Sequence, residues 1–212
     1  ITDRSVSHPT HPNQSGKKTM APTIHLITDV LAESDAVADR TRSLLDKHDV
    51  KMLNIIGSPG AGKTEIISQT LAAIGPERRV GIIEGDISTD LDAQRLHREG
   101  VEVALINTDR FGGACHLSAP LIWTALKKFD LDATDLIIIE NVGNLVCPAE
   151  FDVGEFAKVL VASLTEGDDK PLKYPLAFID SKVMLLNKLD LEEYLPSNPP
   201  DFAANAWSVN PD

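Results

Sequence analysis

Gly57-Ser58-Pro59-Gly60-Ala61-Gly62-Lys63-Thr64 is the segment of this 212-residue chain whose residue types and spacing most directly imply chemistry. It follows the apolar run Met52-Leu53-Asn54-Ile55-Ile56 and leads into apolar residues at helical spacing, Ile66, Ile67, Leu71 and Ile74. A G-x-x-x-x-G-K-[ST] segment between a buried strand and a helix turns successive backbone N–H groups inward toward phosphate oxygens. The helix N-terminus adds a favourable dipole. Gly57, Ser58, Gly60, Ala61 and Gly62 form the cradle, Lys63 reaches the β- and γ-phosphates, and the Thr64 hydroxyl is a ligand for Mg2+. The spacing predicts binding of a nucleoside triphosphate.

Asn187-Lys188-Leu189-Asp190 directly follows the apolar run 183–186. The Asp190 carboxylate can accept from both N1–H and the exocyclic amine of guanine, a donor pair that adenine lacks, so GTP is expected rather than ATP. Asn187 meets the base edge or ties this loop to the phosphate loop, and the Lys188 stem covers the base face. Glu84-Gly85-Asp86, with Thr89, Asp90 and Asp92 just beyond, reads as a switch loop. Asp86 is the first choice for a Mg2+-linked carboxylate and Asp90 the second. Glu140-Asn141-Val142-Gly143 follows the run 136–139, where a carboxylate and a glycine can sense the γ-phosphate, and Glu140 offers Mg2+ a further oxygen. Mg2+ binds few carboxylates and keeps waters, so these acids can act through water. No general base stands out. Phosphoryl transfer depends mostly on positioning and charge stabilisation, so slow hydrolysis assisted by Lys63, Asp86, Glu140 and Gly143 is expected.

The chain has two cysteines, Cys115 and Cys147, and His116 adjoins the first. Cys115-His116 lies in the connection leaving the run 101–106, and Cys147-Pro148 lies just past 140–143. In a parallel sheet both connections emerge at the carboxyl ends of the strands, where ligands sit. Two thiolates and an imidazole make a soft, borderline set suited to Zn2+ or Ni2+, one ligand short of a closed structural site. An open set of that kind suits a metal that is handed on. The same residues also read as two buried structural cysteines, and spacing alone leaves both readings open.

These groups need a scaffold. The runs 52–56, 80–84, 101–106, 136–140, 159–164 and 183–187 are short and mostly aliphatic, with helical patterns between several of them. One such pattern covers 119–129, with Ile122, Leu126 and Phe129 on one face. That alternation predicts an α/β fold, a mostly parallel sheet flanked by helices on both sides. Heptad steps from Val30 (Val30, Val37, Leu44; Leu31, Ala38, Leu45) predict a preceding amphipathic helix. Residues 1–22 are rich in Ser, Thr, Pro, His and Lys and read as a disordered tail, with His8 and His11 a weak metal pair. The organisation expected is tail 1–22, a P-loop domain with its N-terminal helix over 23–195, and an incomplete C-terminal segment over 196–212. In that segment Pro196-Ser197-Asn198-Pro199-Pro200 reads as a linker and 203–207 as a short helix cut off from its partners.

Composition narrows the class. Apolar residues make up 42% and aromatics 5%, which suits an aliphatic core. Asp and Glu outnumber Lys and Arg by 32 to 20, and the net charge of −12 argues against non-specific nucleic-acid binding. No apolar run has the length of a membrane span and no secretory pattern opens the chain. Two cysteines do not make a disulfide framework, so a reducing, cytoplasmic setting is expected. The start at Ile1 rather than Met suggests a longer natural chain.

From about residue 30 to 195 the chain resembles the nickel-incorporation GTPases of hydrogenase maturation (HypB type), P-loop NTPases of the SIMIBI class. The resemblance is carried by the phosphate loop, Ile83-Glu84-Gly85-Asp86, Ile106-Asn107-Thr108, Cys115-His116-Leu117 and Ile139-Glu140-Asn141-Val142-Gly143-Asn144-Leu145-Val146-Cys147-Pro148. It continues through Thr165-Glu166-Gly167-Asp168-Asp169-Lys170-Pro171-Leu172-Lys173-Tyr174-Pro175 and Leu185-Leu186-Asn187-Lys188-Leu189-Asp190. It implies GTP hydrolysis to GDP, GTP-promoted homodimerisation, and a nickel or zinc site at Cys115, His116 and Cys147. It also implies delivery of nickel to the precursor of the hydrogenase large subunit, aided by a companion nickel chaperone. Related proteins use the positions of Leu191 and Leu195 at a dimer interface; ordinary helix packing is the other reading of that pair.

The departures carry expectations too. Thr108-Asp109-Arg110-Phe111-Gly112-Gly113-Ala114 stands where the family has Thr-Gly-Lys before its Cys-His pair, altering the approach to the metal. The N-terminal cysteine cluster of some members is missing, so a high-affinity N-terminal nickel site is not expected. The chain stops at Asp212, before the final strand, base-flanking loop and helix that the family implies, which predicts weaker guanine affinity and an unprotected sheet edge.

Overall fold

The computed structural model describes residues 23–74, 77–86, 101–108 and 115–211, with backbone alone for 23–31 and 86. The expected tail, the switch residues Thr89, Asp90 and Asp92, and the departure at 109–114 lie outside the described residues.

Each apolar run becomes a strand: β1 (Lys51–Ile56), β2 (Val80–Asp86), β3 (Glu102–Asn107), β4 (Leu136–Glu140), β5 (Ala157–Ser163) and β6 (Val183–Asn187). Among the described residues they form one six-stranded sheet in the order β3-β2-β4-β1-β5-β6. Every pairing is parallel, so all six carboxyl ends share one rim. Every residue of β5 is buried, as a strand covered on both faces requires.

Helices α1 (Thr23–Lys47), α2 (Lys63–Ile74) and α3 (Ala119–Leu126) supply the cover. α1 and α3 pack Leu45, Ile122 and Leu126 against Met52, Ile83, Ile137 and Ile139 on one face. On the other, α2 packs Ile67 and Leu71 against Ile55, Ile82, Ile138 and Val161. Residues alternate sides along a strand, which is why Met52 and Ile55 serve opposite faces. The buried seam of α1 runs Ala38, Thr41, Leu45, so a threonine absent from the heptad reading lies within it. Close approach explains the choice: Gly154 has φ +89, and a Cβ there would lie 2.6 Å from the Ala38 carbonyl oxygen and 2.7 Å from Thr41 Cβ. Arg42 clamps the same junction, both Asp152 oxygens accepting from Nη2 at 2.9 and 2.7 Å. α3 ends at Leu126, three residues before the expected helix end, and Phe129 is buried from the turn beyond it.

The C-terminal segment differs from expectation. Asn198 caps α7 (Pro199–Val209), its side chain accepting from Asp201 N at 2.8 Å. Pro199 and Pro200 occupy the first turn, where their missing N–H groups cost nothing. What read as a linker is a helix start. The helix is not cut off from partners either: Phe202 is fully buried, its ring 6.1 Å from that of Phe178 on α6 (Pro175–Ile179), the short helix that follows α5 (Lys170–Lys173). Phe202 and Ala206 join Ile56, Leu145, Leu160 and Ala162 in a third apolar cluster. Burying a side chain of that size contributes about 1.5–3 kcal/mol. Asn205 and Asn210 tie the helix down by donating to the Asp168 and Phe178 carbonyls, each at 2.9 Å. No helix among the described residues is long and apolar enough to cross a membrane.

Candidate nucleotide and metal site

The phosphate loop leaves the carboxyl end of β1 and enters α2 at Lys63. Gly57, Gly60 and Gly62 have φ of +156, +72 and +103, the last two in the left-handed region that favours glycine. At Gly62 a Cβ would also lie 2.3 Å from Asn187 Nδ2. Lys63 is buried and folds back over the loop, Nζ donating to the Gly57 and Ser58 carbonyls at 3.4 and 3.3 Å. The Thr64 hydroxyl donates to Glu140 Oε1 at 2.8 Å. A hydroxyl and a carboxylate brought together beside the cradle are hard oxygen donors, the set that suits magnesium. Asp86 closes β2 in register with Asn107, and its carboxylate lies outside the described atoms.

The segment after β4 folds onto this loop. Asn141 N donates to Ile55 O and Asn144 N to Gly57 O, both at 3.0 Å. Gly143 approaches so closely that a Cβ would be 2.8 Å from Pro59 Cα. From the other side Asn187 Nδ2 donates to Ala61 O at 2.9 Å and Lys188 Nζ to Gly60 O at 2.7 Å. Of the two roles open to Asn187, the tie to the phosphate loop is the one made here. Asp190 is exposed in the turn Leu189–Tyr194.

Cys115, His116 and Cys147 converge. Their ligand atoms all lie within 4.8 Å of one another. The two Sγ atoms are 2.7 Å apart and Cys115 Sγ is 3.7 Å from His116 Nδ1. Cys147 opens the short helix α4 (Cys147–Glu150) and is half-buried, while Cys115 is exposed. This is not the arrangement of two sealed structural cysteines. The His116 ring stacks on Phe151, centroids 4.3 Å apart and planes 7° from parallel, which fixes the imidazole plane. Burial lowers the His116 pKa against the opposing pull of Glu150, favouring the neutral ring that binds metals. The hydrogen bond with Cys115, then burial, raises that of Cys147. Two sulfurs and one imidazole nitrogen make a soft set, chemically distinct from the oxygen pair at Thr64 and Glu140.

Sequence reasoning assigned no role to Glu166 or Phe151. Ser58 Oγ donates to Glu166 Oε2 at 2.6 Å, and Oε1 is buried without a hydrogen-bond partner among the described residues. That leaves a carboxylate against the cradle from the turn after β5. Glu166 lies inside a run that carried the family resemblance, the one hint available. A lone Phe151 offered none.

A family profile described as "CobW/HypB/UreG, nucleotide-binding domain" matches residues 51–199. The chain is 45% identical over 184 residues to the hydrogenase maturation factor HypB of Azotobacter vinelandii, covering 87% of this chain and 60% of that protein. It thus spans about three fifths of the length of that curated relative. Among solved structures, HypB from Archaeoglobus fulgidus is similar with a TM-score of 0.79 and 39% identity, over 85% of this chain and 87% of that one. HypB from Helicobacter pylori, solved in complex with nickel, gives a TM-score of 0.77 and 34% identity over 84% and 83%. Through its all-parallel sheet and the long match that includes the phosphate loop, the chain belongs to the CobW/HypB/UreG nucleotide-binding family, in its HypB-type, hydrogenase-maturation branch, with the SIMIBI form of the P-loop NTPase fold.

Proposed function

We propose that this chain is a GTP-hydrolysing metallochaperone that holds nickel or zinc at Cys115, His116 and Cys147 and releases nickel for insertion into the hydrogenase large subunit. One observation carries the reading: three soft ligand atoms within 4.8 Å of one another on connections that leave the same rim as the phosphate loop. A relative solved with nickel supports it.

In this reading Gly57, Ser58, Gly60, Ala61 and Gly62 hold the phosphates and Lys63 leaves its own loop carbonyls to pair with the β- and γ-phosphates. Magnesium, held by Thr64, Asp86 and Glu140, would supply neutralising charge on those phosphates. Gly143 brings backbone to the γ-phosphate, Asp190 selects guanine, and Asn187 and Lys188 lock the base loop to the cradle. Hydrolysis is slow because, among the described residues, no side chain is placed as a general base. GTP drives homodimerisation, with Leu191 and Leu195 at the interface. The partners are a companion nickel chaperone and the large-subunit precursor, in the cytoplasm.

Nucleotide state sets metal retention because Cys147 begins α4 only four positions beyond Gly143. Titrating Ni2+ and Zn2+ into the chain saturated with a GTP analogue, and again with GDP, tests this. A difference of about fivefold or more in nickel affinity is expected, the lower end of ordinary coupling. Equal affinities in the two states would overturn it.

A further inference from the structure

Between the two apolar clusters on the α1 face runs a line of buried polar groups. Met52 belongs to one cluster and Ile56 to the other, and Asn54, midway between them on the same side of β1, is fully buried. A buried amide on an apolar strand is costly unless every bonding group is matched. Here they are matched in series. Asn141 Oδ1 accepts the backbone N–H of Val142 at 2.9 Å and of Leu117 at 3.1 Å. Its Nδ2 donates to Asn54 Oδ1 at 3.0 Å, and Asn54 Nδ2 donates to Glu155 Oε1 at 3.2 Å. Glu155 Oε2 takes the Val153 N–H at 2.8 Å, and Lys158 Nζ lies 3.7 Å from Oε1. Lys158 pairs with Asp180 and also donates to Ala149 O at 2.9 Å.

The line has one sense. Two backbone donors fix which end of Asn141 is oxygen, that fixes Asn54, and Asn54 then needs the carboxylate of Glu155. Its ends are the informative part. Leu117 follows His116 directly, Ala149 lies in the helix that Cys147 opens, and Asn141 follows Glu140, the residue that accepts from Thr64. The Leu117 side chain also fills the space beside Gly85, where a Cβ would lie 2.8 Å from Leu117 Cδ1. Both metal-ligand segments and the turn beside the phosphate loop thus meet on one polar line.

We propose that Asn141 is a positioning residue that makes the nucleotide-sensing turn and the two metal-ligand segments move as one unit. The proposal rests on the nucleotide-coupled metal binding argued above. A nucleotide that engages Thr64 takes the hydroxyl from Glu140, and the backbone of Asn141 shifts with its neighbour. Because the Asn141 oxygen holds the Leu117 N–H, the Cys115-His116 segment is drawn along. Because its amide leads through Asn54 and Glu155 to Lys158, the α4 end carrying Cys147 resists or follows as a body. A buried line of this kind has few alternative arrangements, which is what lets a small shift be transmitted rather than absorbed.

The test compares nickel affinity in the GTP-analogue and GDP states for the wild-type chain, Asn141→Ala and Glu155→Gln. Glu155→Gln keeps the side-chain size and touches neither ligand, but it puts an amide donor against Asn54 Nδ2 or against the Val153 N–H. In Asn141→Ala the ratio of the two affinities falls to within about twofold of one, while affinity for the GTP analogue alone stays within about threefold of wild type. Glu155→Gln lowers the ratio by about threefold. A residue that only stabilised the fold would lower the melting temperature and leave the ratio alone. A wild-type ratio in Asn141→Ala, or in Glu155→Gln if the first variant does not fold, overturns the proposal. A wild-type protein that itself shows no difference between nucleotide states fails at the parent reading instead, so the two failures are distinguishable.

Discussion

The phosphate loop and the thiol–imidazole cluster are built on opposite plans. The loop is consecutive residues 57–64, and what it offers a ligand is mostly backbone held open by glycines. The cluster takes its sulfurs from positions 32 apart, and what it offers is side chains. In the loop, specificity comes from where a Cβ cannot go. In the cluster it comes from which atoms end the side chains. The first plan is set by local conformation; the second exists only while β3, β4 and their connections are held in place.

The contrast predicts that each region can be broken without the other. Cys115→Ala or Cys147→Ala is expected to have the largest effect, because a soft site with three protein ligands loses a third of its donors. Scaling from structural zinc sites, one thiolate is worth about 3 kcal/mol, a loss of about 100-fold in nickel or zinc affinity. GTP-analogue affinity measured without metal should stay near wild type. A parallel fall in both titrations would mean that the two regions are not separate.

Gly62→Ala is the mirror experiment. Its φ of +103 disfavours any side chain, and the new Cβ would lie 2.3 Å from Asn187 Nδ2, forcing the base loop off the cradle. Strain of about 2 kcal/mol corresponds to about a 30-fold loss of GTP affinity. Metal affinity without nucleotide should be unchanged. Wild-type GTP binding in this variant would remove the lock between base loop and phosphate loop.

The smallest effect is expected at the opposite rim, where Asp135 and Arg79 precede β4 and β2. Hydrogen bonds from the Arg79 side chain, then from its backbone, hold the Asp135 carboxyl down at about 2. A carboxyl depressed on folding stabilises above its ordinary range, and that stabilisation is lost as pH falls from about 4 toward about 2. Asp135→Asn should therefore melt slightly below wild type at pH 7 and together with it near pH 2, with both ligand affinities unmoved. A gap in melting temperature that persists at pH 2 would assign the effect to packing rather than charge.

Much of the scaffold was legible because parallel strands covered on both faces must be apolar throughout, which is why 136–140 stands out in the sequence. The C-terminal segment was misread because Pro, Ser and Asn serve linkers and helix starts alike. Distant partners, Phe178 on α6 and the cluster around Ile56 and Leu160, decide that 199–209 is a packed helix. Thr41 escaped the heptad reading since its place in the α1 seam depends on Gly154 across the junction. The three soft ligands were legible by type, and their convergence was expected because both connections leave the carboxyl rim of a parallel sheet, but the stacking of Phe151 on His116 was not legible. Glu166 and the line from Asn141 to Lys158 were invisible for the same reason: each polar group makes sense only beside a partner that is remote in the chain, such as Ser58 for Glu166 or Asn54 for Asn141.

By itself the amino-acid order determined what depends on near neighbours: glycines where the loop needs φ values closed to other residues, a lysine and threonine at the helix start, apolar runs long enough for strands, and the residue types able to hold a soft metal. Tertiary structure decided what depends on distance: that Thr64 meets Glu140, that two sulfurs 32 positions apart come within 2.7 Å, and that Asn141 bonds to Leu117 and Asn54 at once. Backbone conformation is governed by forces that act within a few residues. Side-chain convergence is governed by the packing of a whole sheet, and no local pattern encodes it.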